Sequence, residues 1–143
     1  MADDTPWPLI EAALIDHLPT VTSIPWEAPG RSDAGARIPL GVVEQAGGGQ
    51  TSGLDQHVDI EVTVYAANRA GCWYLAAQVD QAILRGLNPG GAGGIFVDET
   101  AQAFGWVIDP DRAGDGYQVA TATYTLTVRP QEVEAMTEGD NNG

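Results

Sequence analysis

The sequence predicts a single α+β domain, and three observations predict it. Residues 58–64 and 120–128 alternate apolar and polar side chains with the period of two that marks a half-buried strand. Between them, residues 69–86 place Cys72, Leu75, Ala76, Val79, Ala82 and Ile83 on one stripe of a helix. A chain of 143 residues with 43% apolar side chains is long enough for one core and short for two. Both strands are expected to pack their apolar faces on the 69–86 helix, whose stripe is long enough to cover them.

In chain order, a first helix is expected from about Thr5. Threonine is a good N-cap, Pro6 falls at the first helical position, and Asp3 and Asp4 sit at the positive end of the dipole. Ile10, Ala13, Leu14, His17 and Leu18 share one stripe, and Pro19 ends the helix. Residues 21–26 read as a short edge strand broken by Pro25. Residues 27–37 are a loop on composition. Ile38, Leu40 and Val42 alternate through a second strand, and the glycine-rich stretch 45–56 is a second flexible connection.

The third strand directs Val58, Ile60, Val62 and Val64 to one side and His57, Asp59, Glu61, Thr63 and Tyr65 to the other. Asn68 is placed to cap the helix that follows. Gly86 is placed to end it as a left-handed residue, with Leu87 folding back in a Schellman contact and Pro89 preventing continuation. GGAGG at 90–94 reads as a hinge, 95–99 as a short strand, 104–108 as a further segment and DPDRAGDG as a turn. The last strand turns Ala120, Ala122, Tyr124, Leu126 and Val128 inward and Val119, Thr121, Thr123, Thr125 and Thr127 outward. One domain therefore spans 1–130, with flexible loops near 27–37 and 45–56. The acidic tail 131–143 is expected to be disordered.

Twenty acids stand against six basic residues, all arginine, for a net charge of −14. Such a surface repels nucleic acid and anionic lipid, so a module that grips phosphates is not expected. One cysteine excludes an internal disulfide framework. The acidic start MADDTPW lacks the basic and apolar regions of a signal peptide, and no apolar run is long enough to cross a bilayer.

Candidate chemistry is sparse. GGAGG follows a helix and precedes a strand, the reverse of a phosphate loop. DPDRAG half-matches a calcium loop through Asp109, Asp111 and Gly114, but Ala113 and Ala120 stand where ligands are needed. Cys72 opens a helix, where a thiol is activated, yet it lies on the apolar stripe. His17 and His57 sit on separate elements with no patterned acid beside them. No catalytic residue, cofactor site or metal site is expected. Arg112, between Asp111 and Asp115, reads as a local ion-pair partner or as a reach toward a neighbouring subunit. Trp26 and Trp106, beside loops, join Arg112 as candidate subunit-interface residues.

HVDIEVTVYAANRAGCWYLAAQVDQAIL, then GGIFVDE, then DPDRAGDGYQVATATYTLTVRP, resembles the tail terminator (tail completion, head-to-tail joining) proteins of long-tailed double-stranded DNA bacteriophages. Val64 and Tyr65 stand where that family ends a strand, Ala76 to Leu84 where its helix follows, and Val128 and Arg129 where its last strand closes. The lysine-free, glycine- and alanine-rich composition is similar to that of phages of high-GC hosts. The resemblance implies an α+β fold, a single domain whose mostly antiparallel or mixed sheet carries two helices on one face. It also implies a non-enzymatic virion protein at the head–tail junction, made in the host bacterial cytoplasm. Its partners would be itself, in a homo-hexameric ring, the tail-tube protein and the head–tail connector protein. DNA would only pass through the lumen, and no membrane is involved. In solution, where like charge opposes clustering, a monomer is the expected form. A tail-tube or connector (stopper) subunit and a small ligand-binding or enzyme domain are the alternative readings.

Overall fold

The computed structural model describes residues 10–30, 33–52, 55–87, 90–92 and 95–128. The expected helix start at Thr5, the roles given to Pro89 and Arg129, and the tail 131–143 lie outside the described residues. The elements are α1 (Ile10–His17), β1 (Trp26–Glu27), β2 (Leu40–Ser52), β3 (Asp55–Ala66), α2 (Arg69–Asp80), β4 (Gly90–Ala92), β5 (Ile95–Ile108) and β6 (Gln118–Val128). The six strands form one sheet in the order β1-β2-β3-β6-β5-β4. Every pair is antiparallel except β1–β2, so the sheet is mixed, and the domain is α+β.

The core lies between this sheet and the helices. Val58, Ile60, Val62 and Val64 of β3 meet Ala122, Tyr124, Leu126 and Val128 of β6 on one face, all of them buried. Cys72, Leu75, Val79, Ala82 and Ile83 close over them, as the two periodicities predict. A fully buried aliphatic side chain contributes roughly 1.5–3 kcal/mol, so this three-element sandwich is the main source of stability. Helix α1 approaches both β2 and β4, which have three strands between them in the sheet order, so the sheet curls around the helical layer. Asn68 caps α2 as expected, its Oδ1 accepting from the Gly71 N–H at 2.8 Å.

Several expectations are corrected. Residues 45–52 and 55–56 are strand rather than a loop: they extend β2 and β3 into a long hairpin, and shifts in register at 45/47 and 48/50 absorb the irregular residues. The segments 95–99 and 104–108 are one strand, β5, bent by three such shifts. Gly90–Ala92 pairs with β5 as an edge strand rather than acting as a hinge. Of the strand expected at 21–26, Trp26 alone is strand; it begins β1, at the sheet edge. Within β2, Val43 faces the core while Leu40 and Val42 share the opposite face with Tyr65 and Thr63.

The end of α2 also differs. Residues Gln81–Arg85 widen into a π-helical turn, in which the Gly86 N–H donates to the Gln81 carbonyl at 3.0 Å. Gly86 has φ −80, so no left-handed Schellman end forms. Glycine is required there by close packing: a Cβ would meet the Ala82 carbonyl oxygen at 2.5 Å. That carbonyl also receives His17 Nε2 at 3.0 Å, which joins the ends of α1 and α2. A carbonyl can only accept, so Nε2 carries the proton.

Candidate functional site

The three residues predicted for a subunit interface do not converge. Trp26 is buried, which corrects its assignment as a surface anchor. Its parallel partner Gly41 has no side chain, and the indole lies over that gap on the core face. Trp26 Nε1 donates to Thr22 Oγ1 at 2.7 Å, and Thr22 Oγ1 donates to the Leu18 carbonyl at 2.8 Å. The chain's own fold therefore satisfies both the ring and its N–H.

Trp106 lies half-buried on β5 and belongs to a polar knot. Its Nε1 donates to Asp80 Oδ1 at 3.0 Å and to the Tyr124 hydroxyl at 3.1 Å. Gln102 Nε2 adds a bond to the same carboxylate oxygen at 3.0 Å, and the Tyr124 hydroxyl donates to it as well. Burial first, and then the Asp80 carboxylate, push the Tyr124 hydroxyl far above the ordinary tyrosine value. The knot ties the last turn of α2 to β5 and β6. Its chemistry is that of a structural clasp, since the phenol holds its proton and the carboxylate is occupied.

Arg112 stands exposed on the 109–117 turn. Among the described residues it makes no ion pair with Asp111 or Asp115, which corrects that expectation. Its Nη2 approaches the Tyr65 hydroxyl at 3.4 Å instead. The turn is held by the Asp111 N–H to Asp109 Oδ1 and by the Arg112 N–H to the Asp109 carbonyl, and Tyr117 packs at 6.0 Å from Tyr65. Asp109 and Asp111 are thus an Asp-Pro turn. Among the described residues no group of three metal-ligating side chains assembles.

Cys72 is buried under α2, and burial raises its thiol above the ordinary value. His17 and His57 stay apart, one on the Ala82 carbonyl and the other 3.1 Å from Thr127 Oγ1. No described helix is long and apolar enough to cross a membrane.

What the structure does assemble is a pair of surfaces on opposite sides of the sheet. On the helical side, Trp73 is 43% and Tyr74 66% exposed on α2. Beside them runs an apolar groove of about 470 Å³, lined by Ile24, Ile38, Pro39, Ala66 and Leu75. Gln78 borders it, giving its Nε2 to the Tyr74 hydroxyl while its Oε1 has no partner among the described residues. On the open side of the sheet, Phe104 is 71% and Val107 58% exposed, in register with Thr123 and Thr121. Sequence reading missed both residues, because the bulges in β5 break the alternation that would have assigned them a face. No protein-family model and no curated protein matches this sequence.

Proposed function

We propose that this chain is a structural subunit of a phage virion, the tail terminator. In this reading a ring of copies caps the completed tail tube, docks to the head connector and leaves a channel for DNA. The observation that carries the proposal is the presence of exposed aromatic and aliphatic side chains on two different faces, Trp73 and Tyr74 on one and Phe104 and Val107 on the other. Solvent-exposed rings of this size suit contacts made on assembly. Two unlike patches are what a head-to-tail contact requires, and such contacts close into rings when the rotation allows.

The net charge of −14 supports the same reading, because an acidic passage does not retain a polyanion that must slide through it. The role involves stacking and blocking, with no bond made or broken. Modest contacts per subunit gain strength through their number. A phage carrying a null allele of this gene should accumulate DNA-filled heads without tails, beside tubes of uncontrolled length. Tails of normal length joined to heads in that mutant would refute the terminator role.

A further inference from the structure

We infer that two copies of this chain join by a heterologous contact, in which the exposed face of α2 in one copy seats on the open face of the sheet in the next. The inference rests on the assembly reading above for the ring it builds, and names the contact that joins successive subunits.

The helix face is basic and aromatic. Along α2 and the π-helical turn, Arg69, Trp73, Tyr74, Ala77, Gln81 and Arg85 are exposed. The one acid of that stretch, Asp80, is taken up by the clasp with Trp106 and Tyr124. Among the described residues neither Arg69 nor Arg85 has an ion pair, whereas Arg37 is held by Glu27 and Asp33. The apolar groove beside Tyr74 has no charged side chain in its lining. Copies of a chain with net charge −14 repel one another in most approaches. A helix face that presents two arginines is where a second copy can close, provided that the surface it meets is acidic.

The open face of the sheet is that surface. Glu44, Glu61 and Glu99 stand on it, beside Thr123 and Thr127. One row across the sheet reads Glu44, Glu61, Thr123, Phe104, so the exposed ring and two of the acids share a level. Glu99 lies three strand spacings from Glu44 and four residues further along, a separation of roughly 20 Å. Arg69 and Arg85 lie sixteen residues apart, roughly 20–25 Å of helix. The two arginines therefore span about the distance between the outer carboxylates, and Phe104 and Val107 supply the apolar side chains for the groove. One copy cannot bring its own two faces together, because they lie on opposite sides of the sheet. The contact is heterologous for that reason, as a ring requires.

The test is a charge swap in the isotope-labelled full chain, read from amide signals between micromolar and millimolar concentration. In the parent, signals of residues 69–81 and 99–107 should move as concentration rises. Self-association should weaken roughly tenfold or more in Arg69→Glu with Arg85→Glu, and by a similar factor in Glu44→Lys with Glu99→Lys. Mixing the two variants should restore it, because each helix face then meets an open face of opposite charge. Tyr74→Ser should weaken association in the parent while leaving the melting temperature within a few degrees. Signals that do not move with concentration in the parent, variants that associate as the parent does, or a mixture that fails to recover would each overturn the contact. None of those results bears on the terminator role, which the null-allele phage tests separately. Normally joined tails in that phage would refute the role and leave a restored charge swap standing.

Discussion

Strands β3 and β6 present two faces from one backbone. On the covered face Val58, Ile60, Val62 and Val64 interlock with Ala122, Tyr124, Leu126 and Val128 beneath α2, and water is excluded from all of them. On the open face His57, Asp59 and Glu61 stand beside Thr127, Thr125 and Thr123, mostly half-exposed, with Thr125 Oγ1 donating to Asp59 Oδ1 at 2.7 Å. The hydrogen-bond ladder is common to both. The difference teaches how one sheet can be rigid and still offer a wet surface. Threonine is β-branched and favours the strand, while its hydroxyl keeps the surface polar. Stability is therefore concentrated on one face, and the other is left to contact.

The largest test of that contrast is a matched pair of truncations. Ile60→Ala or Leu126→Ala should cost about 2–5 kcal/mol in urea unfolding, because each leaves a cavity that the sandwich cannot collapse. Thr125→Ala, the neighbour on the open face, should cost less than about 1 kcal/mol. Equal losses would erase the distinction between the faces.

A smaller effect probes the clasp at the edge of the covered face. Tyr124→Phe removes the hydroxyl that Asp80 receives and should cost about 1–3 kcal/mol. The pH dependence has a definite sign. Tyr124 and Cys72 hold their protons beyond their ordinary values of 10.0 and 9.0, so the unfolded chain ionises first as pH rises. Their contribution is complete below about pH 9 and is lost above it. A parent whose stability falls through this alkaline range, and a Tyr124→Phe variant whose curve is flatter, are the expected results.

On the open face the effects are smaller and of mixed sign. Glu61 lies directly across the β2–β3 ladder from Glu44, so Glu61→Gln relieves their repulsion and should raise stability by about 0.2–1 kcal/mol, measured by denaturant midpoint. A loss would mean that the charge has a partner inside the chain. Phe104→Ser combined with Val107→Ser should shift stability by no more than about 0.5 kcal/mol, because both side chains already face solvent. The same pair should abolish co-assembly into rings, read by electron microscopy of reconstituted particles.

The sequence made β3, α2 and β6 legible because each carries its period without interruption. Asn68 reads as a cap and the Cys72 to Ile83 stripe reads as a buried face for the same reason. The far half of β2 was hidden: its glycines signal a loop locally, and only pairing with β3 across a long register makes them strand. Trp26 was misread because nothing in one sequence shows that Gly41 lies opposite it. Gly86 reads as a helix end, and the His17 ring that packs against it, from another helix, is a tertiary fact. The open face of the sheet is the least legible part. Glu44 and Glu61 are seventeen positions apart in sequence, and their opposition exists only once the register is set. Arg112 is legible as a charge on a turn, while its partner, Tyr65, lies on β3, distant in sequence.

The central claim, that both unpartnered faces exist for assembly, is tested most directly by imaging the particle that contains this chain. Cryo-electron microscopy should find it as a closed ring at the junction of head and tail. In that ring the Phe104 and Val107 face and the Trp73 and Tyr74 face should each be covered by a neighbouring subunit or a partner. Density for the chain away from that junction, or a ring that leaves both faces in solvent, would contradict the account.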